Sequence, residues 1–341
     1  MPARLKVKLL SRAQPSYWAR YFEDPGQPVR GNCEFTFDAD ATDYDWLVVY
    51  EQFPRGGRFG SSEQLQCASE NTLLLTTEPP TIKRYSHVFT KQFGHVLTSH
   101  PESTLAHRNR IYSQPALKWF YGTNQESGLS IAQLKREQPS KTEQISTVCS
   151  NKQQGHTLHR RRYEFVQHLR GVVPELDVFG RGVRPVNDKA EALRPYRYHL
   201  AIENYLGQHH WTEKLSDSFL GHCLPLYCGC PNTSDYFPEE AVVPIDIENR
   251  EAATETIRQA IQDDWYSQRL PAIQEARRRV VEDYGLFSVL SRIISERHQT
   301  GSAKRSRLYS RYTIRLRNPL RALPAAMGTE LRTLVGRFLP K

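Results

Sequence analysis

The sequence predicts an α/β fold in which two domains are each built on a parallel sheet. Short apolar runs alternate with polar or helical stretches, which is typical of parallel sheets, and residues 196–229 read as a strand, a loop, a helix and a second strand. The length of 341 residues is sufficient for two hydrophobic cores. We therefore expect an enzyme-sized chain in which two α/β domains form separate compact bodies.

Residues 196–215 contain the most informative pattern in the chain. Apolar and polar residues alternate from Tyr196 to Glu203, which predicts a strand. Thr212 is a suitable N-cap for a following helix, and Glu213 in its first turn suits the positive end of the helix dipole. Ligands of open α/β sheets bind beyond the carboxyl ends of the strands, so Asn204, Glu213 and Lys214 would face one crevice.

Backbone amides and a lysine in such a crevice suit a pyrophosphate group. The alternative is a capped helix whose Glu213–Lys214 pair is simply solvated, and spacing alone favours this alternative.

The same residues resemble the sequence pattern of the α1,3/4-fucosyltransferases, glycosyltransferase family 10. Glu203-Asn204 and Thr212-Glu213-Lys214 stand at the separation that this family shows, and residues 225–229 resemble its next strand. Residues 235–238 and 242–246 resemble the subsequent segments of such enzymes, and the similarity extends over about residues 145–295. A composite pattern of this length is a specific signal.

The resemblance implies a GT-B-like fold of two Rossmann-like domains that face a cleft. It also implies an inverting transferase that uses GDP-fucose without an obligatory metal or other cofactor. Carried over by position, Glu203, Asn204 and Glu213 belong to the donor site, with Asn204 and Glu213 against the sugar and ribose, and Lys214 pairs with the pyrophosphate. Arg162 stands where the family has a phosphate-binding arginine, although Arg160 and Arg161 compete for that role.

Glu78 is the predicted catalytic base. It comes after the apolar run 72–76 and precedes two prolines that fix the turn, so it would project from the carboxyl end of a strand. An inverting transferase needs one base to deprotonate the acceptor hydroxyl, and the resembling family uses a glutamate near this place. The alternative is a carboxylate on a surface loop.

Two departures from the family pattern fall in the predicted donor segment. Tyr205 replaces a small Ser or Thr, and His210-Trp211 replaces an aromatic–aliphatic pair. We expect both changes to touch the donor pocket, so a related hexose or deoxyhexose on GDP is an alternative donor.

The C-terminal segment holds the excess positive charge of the chain. Residues 300–341 contain ten basic residues and one acid, a net charge of +9 that equals the net charge of the whole chain. Apolar residues after Pro324 recur at helical spacing. A basic amphipathic helix is typical of an anchor on an anionic membrane surface, and the alternatives are a helix packed on the body or a solvated tail. Nucleic acid is not an expected partner, because the basic residues lack a binding fold.

These patterns divide the chain into three predicted parts. Residues 1–150 would form the acceptor-side domain, residues 151–299 the nucleotide-sugar domain with its closing helices, and residues 300–341 the basic tail. No run of about 18 apolar residues exists, and the first ten residues are too charged for a signal peptide. The expected location is therefore the cytoplasm, peripheral to the inner face of the membrane if the tail is an anchor.

The predicted function is transfer of fucose from GDP-fucose to a hydroxyl of a glycan, such as a surface polysaccharide or a lipid-linked glycan. Transfer of another nucleotide-sugar on the same fold is one alternative, and a non-catalytic relative that binds glycan or membrane is another. The six cysteines are expected to be buried reduced thiols, since a metal site at Cys223, Cys228 and Cys230 would need a further ligand such as His222.

Overall fold

A computed structural model describes residues 3–54, 61–116, 118–124, 128–151, 158–301 and 306–317 of the chain. The strands of the described residues are β1 (Leu5–Leu10), β2 (Val29–Arg30), β3 (Cys33–Thr36), β4 (Trp46–Tyr50), β5 (Ser62–Gln64), β6 (Thr72–Leu75), β7 (His95–Thr98), β8 (Arg110–Tyr112), β9 (Glu143–Val148), β10 (Leu176–Phe179), β11 (Tyr196–Ile202), β12 (Leu224–Cys228), β13 (Val243–Pro244) and β14 (Arg307–Tyr309). The helices are α1 (Pro15–Ala19), α2 (His87–Thr90), α3 (Ile131–Arg136), α4 (His159–Val172), α5 (Glu213–Leu220), α6 (Arg250–Gln262), α7 (Trp265–Glu282), α8 (Leu286–Arg297) and α9 (Arg311–Arg317).

The chain divides into two compact units. One contains residues up to Ala116 together with the segment from Phe287 onward, and the other runs from Leu117 to Leu286. The boundary between the first and second units therefore lies near residue 116, whereas the sequence predicts a domain boundary at residue 150. The reason is that β9 pairs in parallel with both β10 and β11, so residues 143–148 belong to the second sheet.

The first unit contains a seven-stranded sheet in the order β2-β3-β1-β4-β6-β7-β8. All its neighbours pair in parallel except β2 and β3, which are antiparallel. Strands β4, β6 and β7 are buried along their whole length, as expected of strands with both faces covered. Residues 82–93 show a helical pattern in the sequence, but only α2 is helical there, because the preceding residues turn to bury Tyr85 against Phe89.

The C-terminal part of the described chain belongs to this first unit. β14 pairs antiparallel with β5, and Leu308 is buried in the core of the unit. In α9, Arg311 donates a hydrogen bond of 2.7 Å to the backbone carbonyl of Arg84. Residues 306–317 are thus packed on the body, and the predicted amphipathic helix after Pro324 lies outside the described residues.

The second unit is a five-stranded parallel sheet in the order β10-β9-β11-β12-β13. When the five strands of this unit are numbered in chain order, with β9 as strand 1, their order in the sheet is 2-1-3-4-5. This is a doubly wound order, and its switch point lies between strands 1 and 3. Here those strands are β9 and β11. The prediction of two Rossmann-like α/β units is therefore confirmed by the parallel sheets of both units.

One helix of the second unit contains a proline in its interior. Proline disfavours this position because it lacks a backbone N–H, but Pro271 lies inside α7. The break between α6 and α7 is instead at Asp263 and Asp264. Asp264 adopts a left-handed conformation with φ of 48°, and its side chain accepts a hydrogen bond from the backbone N–H of Ser267. A polar residue that tolerates this conformation and caps the next helix thus sets the boundary.

No helix in the described part of the chain is both long enough and apolar enough to cross a bilayer.

Candidate functional site

A pocket of about 260 Å³ lies at the carboxyl ends of the second-unit strands. Val148 at the end of β9 and Ile202 at the end of β11 both line it, so the pocket is located at the switch point of the sheet. His159 and Arg162 line it from the first turn of α4, and Glu213 and Lys214 from the first turn of α5. Two helix N-termini thus contribute to the same pocket, which favours an anionic ligand.

The sequence explains why α5 begins where it does. The Thr212 side chain caps the helix by accepting a hydrogen bond of 3.4 Å from the backbone N–H of Lys214. The predicted N-cap is therefore confirmed. The capped end directs the next two residues, Glu213 and Lys214, toward the pocket.

Glu203 is the buried anchor of this arrangement. Its side chain is 0 % exposed. It accepts hydrogen bonds from the Thr212 backbone N–H at 2.8 Å and from the Thr212 hydroxyl at 2.7 and 2.9 Å. It also forms an ion pair of 3.3 Å with Lys214. Glu203 does not line the pocket; it acts on the pocket by fixing the N-cap and the lysine, and donor contact by this carboxylate stays a prediction.

Arg162 and Asn204 are in direct contact. The Arg162 guanidinium donates to the Asn204 side-chain oxygen at 3.1 Å and to the Ile202 carbonyl at 3.4 Å. Arg162 is 7 % exposed, and its buried Nε has no hydrogen-bond partner among the described residues. A buried cationic donor of this kind is suited to an anion bound in the pocket.

Arg160 and Arg161, the alternatives to Arg162 for the phosphate-binding role, form ion pairs outside the pocket. Arg160 pairs with Glu164 at 2.8 Å and Arg161 with Glu248 at 2.9 Å, and both arginine side chains are more than 60 % exposed. Of the three consecutive arginines, only Arg162 lines the pocket.

A chain of alternating charges runs along the pocket. Lys214 lies 3.3 Å from Glu203 and 3.1 Å from Glu213. Lys189 lies 3.7 Å from Glu213 and 3.0 Å from Asp217. Each ammonium group is therefore placed between two carboxylates, which fixes the position of both lysines without a ligand.

The ionisation states depend on this pairing. Burial opposes the charge of Lys214, but the Glu203 and Glu213 carboxylates outweigh burial and raise the pKa of the lysine. Burial likewise opposes the charge of Glu213, but the Lys214 and Lys189 ammonium groups hold its pKa well below the ordinary range. Both groups are therefore charged at neutral pH.

Glu78 lies in the first unit, three residues beyond the carboxyl end of β6, as predicted. Its side chain is half-buried, and its backbone carbonyl accepts a hydrogen bond of 2.8 Å from His100 Nε2. Its role as a base stays a prediction. The remaining five predicted residues, Arg162, Glu203, Asn204, Glu213 and Lys214, are brought together in the second unit.

The residues that depart from the family pattern lie outside the lining of the pocket. None of Tyr205, His210 and Trp211 lines the pocket. His210 and Trp211 are each 2 % exposed, and the Trp211 ring packs against Phe237 at a centroid distance of 5.1 Å. Contact of these residues with the donor stays a prediction. The side chains of His210 and Trp211 are buried in the second unit.

Sequence reasoning missed two charged residues of the pocket, Lys189 and Asp217. Asp217 lies one turn after Glu213 on α5, so helical spacing could have placed both carboxylates on one face. Lys189 lies in the connection between β10 and β11 and has no motif of its own. The turn at Gly180 and Gly182, with φ of 130° and 85°, comes after β10 and places a further charged residue, Arg181, at the pocket.

No group of three or more His, Cys, Asp or Glu side chains within the described ranges is arranged to hold a metal ion. The cysteines are free and buried, as expected: Cys33, Cys67, Cys149, Cys223, Cys228 and Cys230.

Comparison with known proteins adds an independent result. Residues 138–265 match the family described as glycosyltransferase family 10 (fucosyltransferase), C-terminal part. A stretch of 74 residues is 34 % identical to the α-(1,3)-fucosyltransferase FucT of Helicobacter pylori. That stretch covers 21 % of this chain and only 16 % of the relative. The resemblance to the fucosyltransferases is therefore confirmed for the segment that forms the pocket.

Solved structures of glycosyltransferases are also similar to this chain. An α1,3-fucosyltransferase with GDP-fucose is 17 % identical, with a TM-score of 0.47 over 79 % of this chain and 82 % of that one. TarM of S. aureus with UDP is 8 % identical, with a TM-score of 0.44 over 68 % of this chain and 56 % of that one. Because both scores are low, the function is inferred from the segment match and from the pocket itself.

The ion pairs of Glu213 make a prediction about acid stability. A depressed carboxyl pKa stabilises the fold above the ordinary value of 4.5, and this contribution is lost as the pH falls through the depressed value. Replacing Glu213 by Gln should therefore lower the free energy of unfolding at about pH 7 by on the order of 1 kcal/mol. The difference between wild type and variant should shrink steadily below pH 4.5.

Thermal and urea unfolding at a series of pH values would measure this difference. Glu240→Gln, which removes an exposed carboxylate outside the pocket, is the matched control and should have a small effect at every pH. A Glu213→Gln difference that stays constant from neutral to acid pH would contradict the assigned ion pairs.

Proposed function

We propose that this chain is an inverting glycosyltransferase that transfers fucose from GDP-fucose to a hydroxyl group of a glycan. One observation carries the proposal: Arg162, Lys214 and two helix N-termini meet in one pocket at the sheet switch point. This pocket is built entirely from residues 147–217, inside the segment that matches the fucosyltransferase family. The family description and the fucosyltransferase that is similar over 74 residues support this choice of sugar.

The charges of the pocket suit the proposed leaving group. GDP leaves as a diphosphate anion. The reaction therefore needs positive charge near the diphosphate to stabilise the leaving group, and the leaving group does not need to be protonated. Arg162 and Lys214 would supply it, assisted by the backbone N–H groups at the start of α4. The Asn204 amide would donate or accept hydrogen bonds at the sugar and ribose hydroxyls, and the Glu213 carboxylate would accept hydrogen bonds from them. The proposed transfer uses these side chains and requires no obligatory metal.

The acceptor half of the reaction is assigned to Glu78. Its carboxylate would take the proton of the acceptor hydroxyl as the oxygen attacks the anomeric carbon, and the bond to GDP breaks on the opposite face. Attack from that face inverts the configuration at this carbon. The acceptor class that we propose is a surface or lipid-linked glycan.

A different nucleotide-sugar is the second candidate donor. Tyr205 departs from the small residue of the family, but it lies outside the described pocket lining. Fucose therefore remains the first choice, and a related hexose or deoxyhexose on GDP is the alternative. A non-catalytic relative is disfavoured because the charged set from Arg162 to Lys214 is assembled in the pocket.

Lys214→Ala should weaken GDP-fucose binding. Loss of a charge-assisted hydrogen bond corresponds to about 10- to 100-fold in the dissociation constant. Calorimetry with GDP-fucose would measure it, and Arg162→Gln should weaken binding similarly. The control is Lys135→Ala, which removes a lysine that pairs with Glu282 at 3.5 Å outside the pocket. Equal affinities for wild type and both pocket variants, all folded by circular dichroism, would contradict the assigned donor site.

Glu78→Gln should reduce turnover by about 100-fold or more, because a general base contributes roughly that factor. Donor affinity should change less than about twofold, since a base affects the transition state and not ground-state binding. Transfer from labelled GDP-fucose to arrayed glycans would report turnover. Glu102→Gln, which changes a carboxylate that is 79 % exposed, is the control. Full turnover in Glu78→Gln would reject this residue as the base.

We also propose that the basic C-terminal segment binds an anionic membrane surface. The support is its sequence, since residues 318–341 contain four basic residues, one acid and an apolar pattern at helical spacing. Removing residues 318–341 leaves β14 and α9 intact. The truncated chain should therefore keep transfer activity on a free acceptor.

Truncation after Arg317 should weaken binding to anionic liposomes at least about tenfold, because each basic residue near such a surface contributes about 1 kcal/mol. Co-sedimentation with anionic and neutral liposomes would measure the change. Neutral liposomes serve as the control for the charge contribution. If the truncated and full chains sediment equally with anionic liposomes, the anchor is not in this segment.

A further inference from the structure

Lys189 is a charged residue of the pocket that neither the sequence pattern nor the proposed reaction uses. It begins a short 3₁₀ helix, Lys189–Ala192, in the connection between β10 and β11. Its side chain is 22 % exposed and lines the pocket together with Arg162 and Lys214. Its ammonium nitrogen lies 3.0 Å from Asp217 Oδ2 and 3.7 Å from Glu213 Oε1.

The local backbone holds Lys189 in place from both sides. Asp188, the preceding residue, accepts hydrogen bonds of 2.9 Å from the Gly122 N–H and 2.8 Å from the Asn124 N–H. Asp217, its ion-pair partner, accepts hydrogen bonds of 2.9 and 3.1 Å from the backbone N–H groups of residues 120 and 121. The ammonium also lies 5.2 Å from the centre of the Phe120 ring. The lysine is therefore pre-positioned, and little side-chain freedom would be lost on ligand binding.

The contacts of Lys189 leave it suited to a second anion. An ammonium group has three N–H donors. Among the described residues, it donates one hydrogen bond, to Asp217, while Glu213 lies beyond hydrogen-bond distance. Lys214, in contrast, is within 3.3 Å of the Thr212 hydroxyl and of the Glu203 and Glu213 carboxylates.

Lys189 also contributes to the position of the Glu213 carboxylate. Glu213 Oε1 is shared between Lys214 at 3.1 Å and Lys189 at 3.7 Å. Two cations on one oxygen fix the orientation of the carboxylate and leave the second oxygen as the acceptor for a ligand hydroxyl. Without Lys189, Glu213 would be held by Lys214 alone.

We propose that Lys189 is a further donor-binding residue, which donates a charge-assisted hydrogen bond to the diphosphate and positions Glu213 for the nucleotide-sugar. The inference rests on the proposed function, because it takes the ligand to be a nucleoside diphosphate derivative. It adds to Arg162 and Lys214 a further cation at the diphosphate site, from the connection between β10 and β11.

The test is the affinity of the full chain for GDP and for inorganic pyrophosphate, measured by calorimetry. Lys189→Met should weaken binding of both probes about 10- to 100-fold, the equivalent of one charge-assisted hydrogen bond. Lys189→Arg retains the charge and should recover most of the affinity for both probes. The matched control is Lys118→Met, since the Lys118 ammonium lies 5.4 Å from the same Phe120 ring but does not line the pocket.

A second variant separates binding from folding. Removing Lys189 alone leaves Asp217, which is 1 % exposed, without its cation, and an unpaired buried charge destabilises a protein. The double variant Lys189→Met with Asp217→Asn removes this charge while an amide oxygen can still accept from the backbone of residues 120 and 121. It should restore thermal stability toward that of wild type and still bind GDP and pyrophosphate weakly.

The outcomes distinguish the two proposals. Suppose that wild type binds GDP, and that the folded Lys189→Met variant and the double variant bind both probes within about twofold of wild type. The inference about Lys189 is then overturned, and the proposed function stands. If wild type does not bind GDP at all, the proposed donor is wrong, and the inference about Lys189 fails with it.

Discussion

The buried Glu203 carboxylate is the group on which the geometry of the pocket depends. It is 0 % exposed, and its oxygens hold both the N-cap of α5 and the ammonium group of Lys214. A carboxylate in this position is stable only with its charge paired and its lone pairs used. The same contacts that satisfy this requirement place Glu213 and Lys214 at the carboxyl ends of the strands. Glu203 thus converts a strand end and a helix start into one rigid site.

The charges of this site suit the diphosphate donor that we propose for the second unit. The doubly wound strand order opens a crevice between β9 and β11. Arg162 enters it from one helix and Lys214 from another, while Lys189 reaches it from the connection between strands. The acidic partners Glu203, Glu213 and Asp217 hold the two lysines in position before any ligand binds. Positive charge that is already oriented is more effective in stabilising a departing phosphate than charge that must be reorganised.

The sequence predicted the parts of this site that depend on local patterns. The alternation in β11, the Thr212 cap and the segment 203–214 placed three of the five predicted donor residues, Asn204, Glu213 and Lys214, at the pocket. It could not show that Glu203 turns inward, because an acid at a strand end faces either way until the packing of Tyr227 and Thr212 around it is known. Pro271 is a second example, because proline ordinarily disfavours a helix interior and yet lies inside α7. Lys189 was missed because its contact with Asp217 joins two distant segments.

Nucleotide-sugar binding by the purified chain, without added metal, tests the proposed donor site most directly. Calorimetry with GDP, GDP-fucose, GDP-mannose, UDP-glucose and UDP-galactose would compare the bases and the sugars in one experiment. We expect GDP and GDP-fucose to bind and the UDP-sugars to bind much more weakly. Binding of UDP-sugars alone would contradict the donor assignment, and the absence of binding to any of the five would contradict the transferase itself.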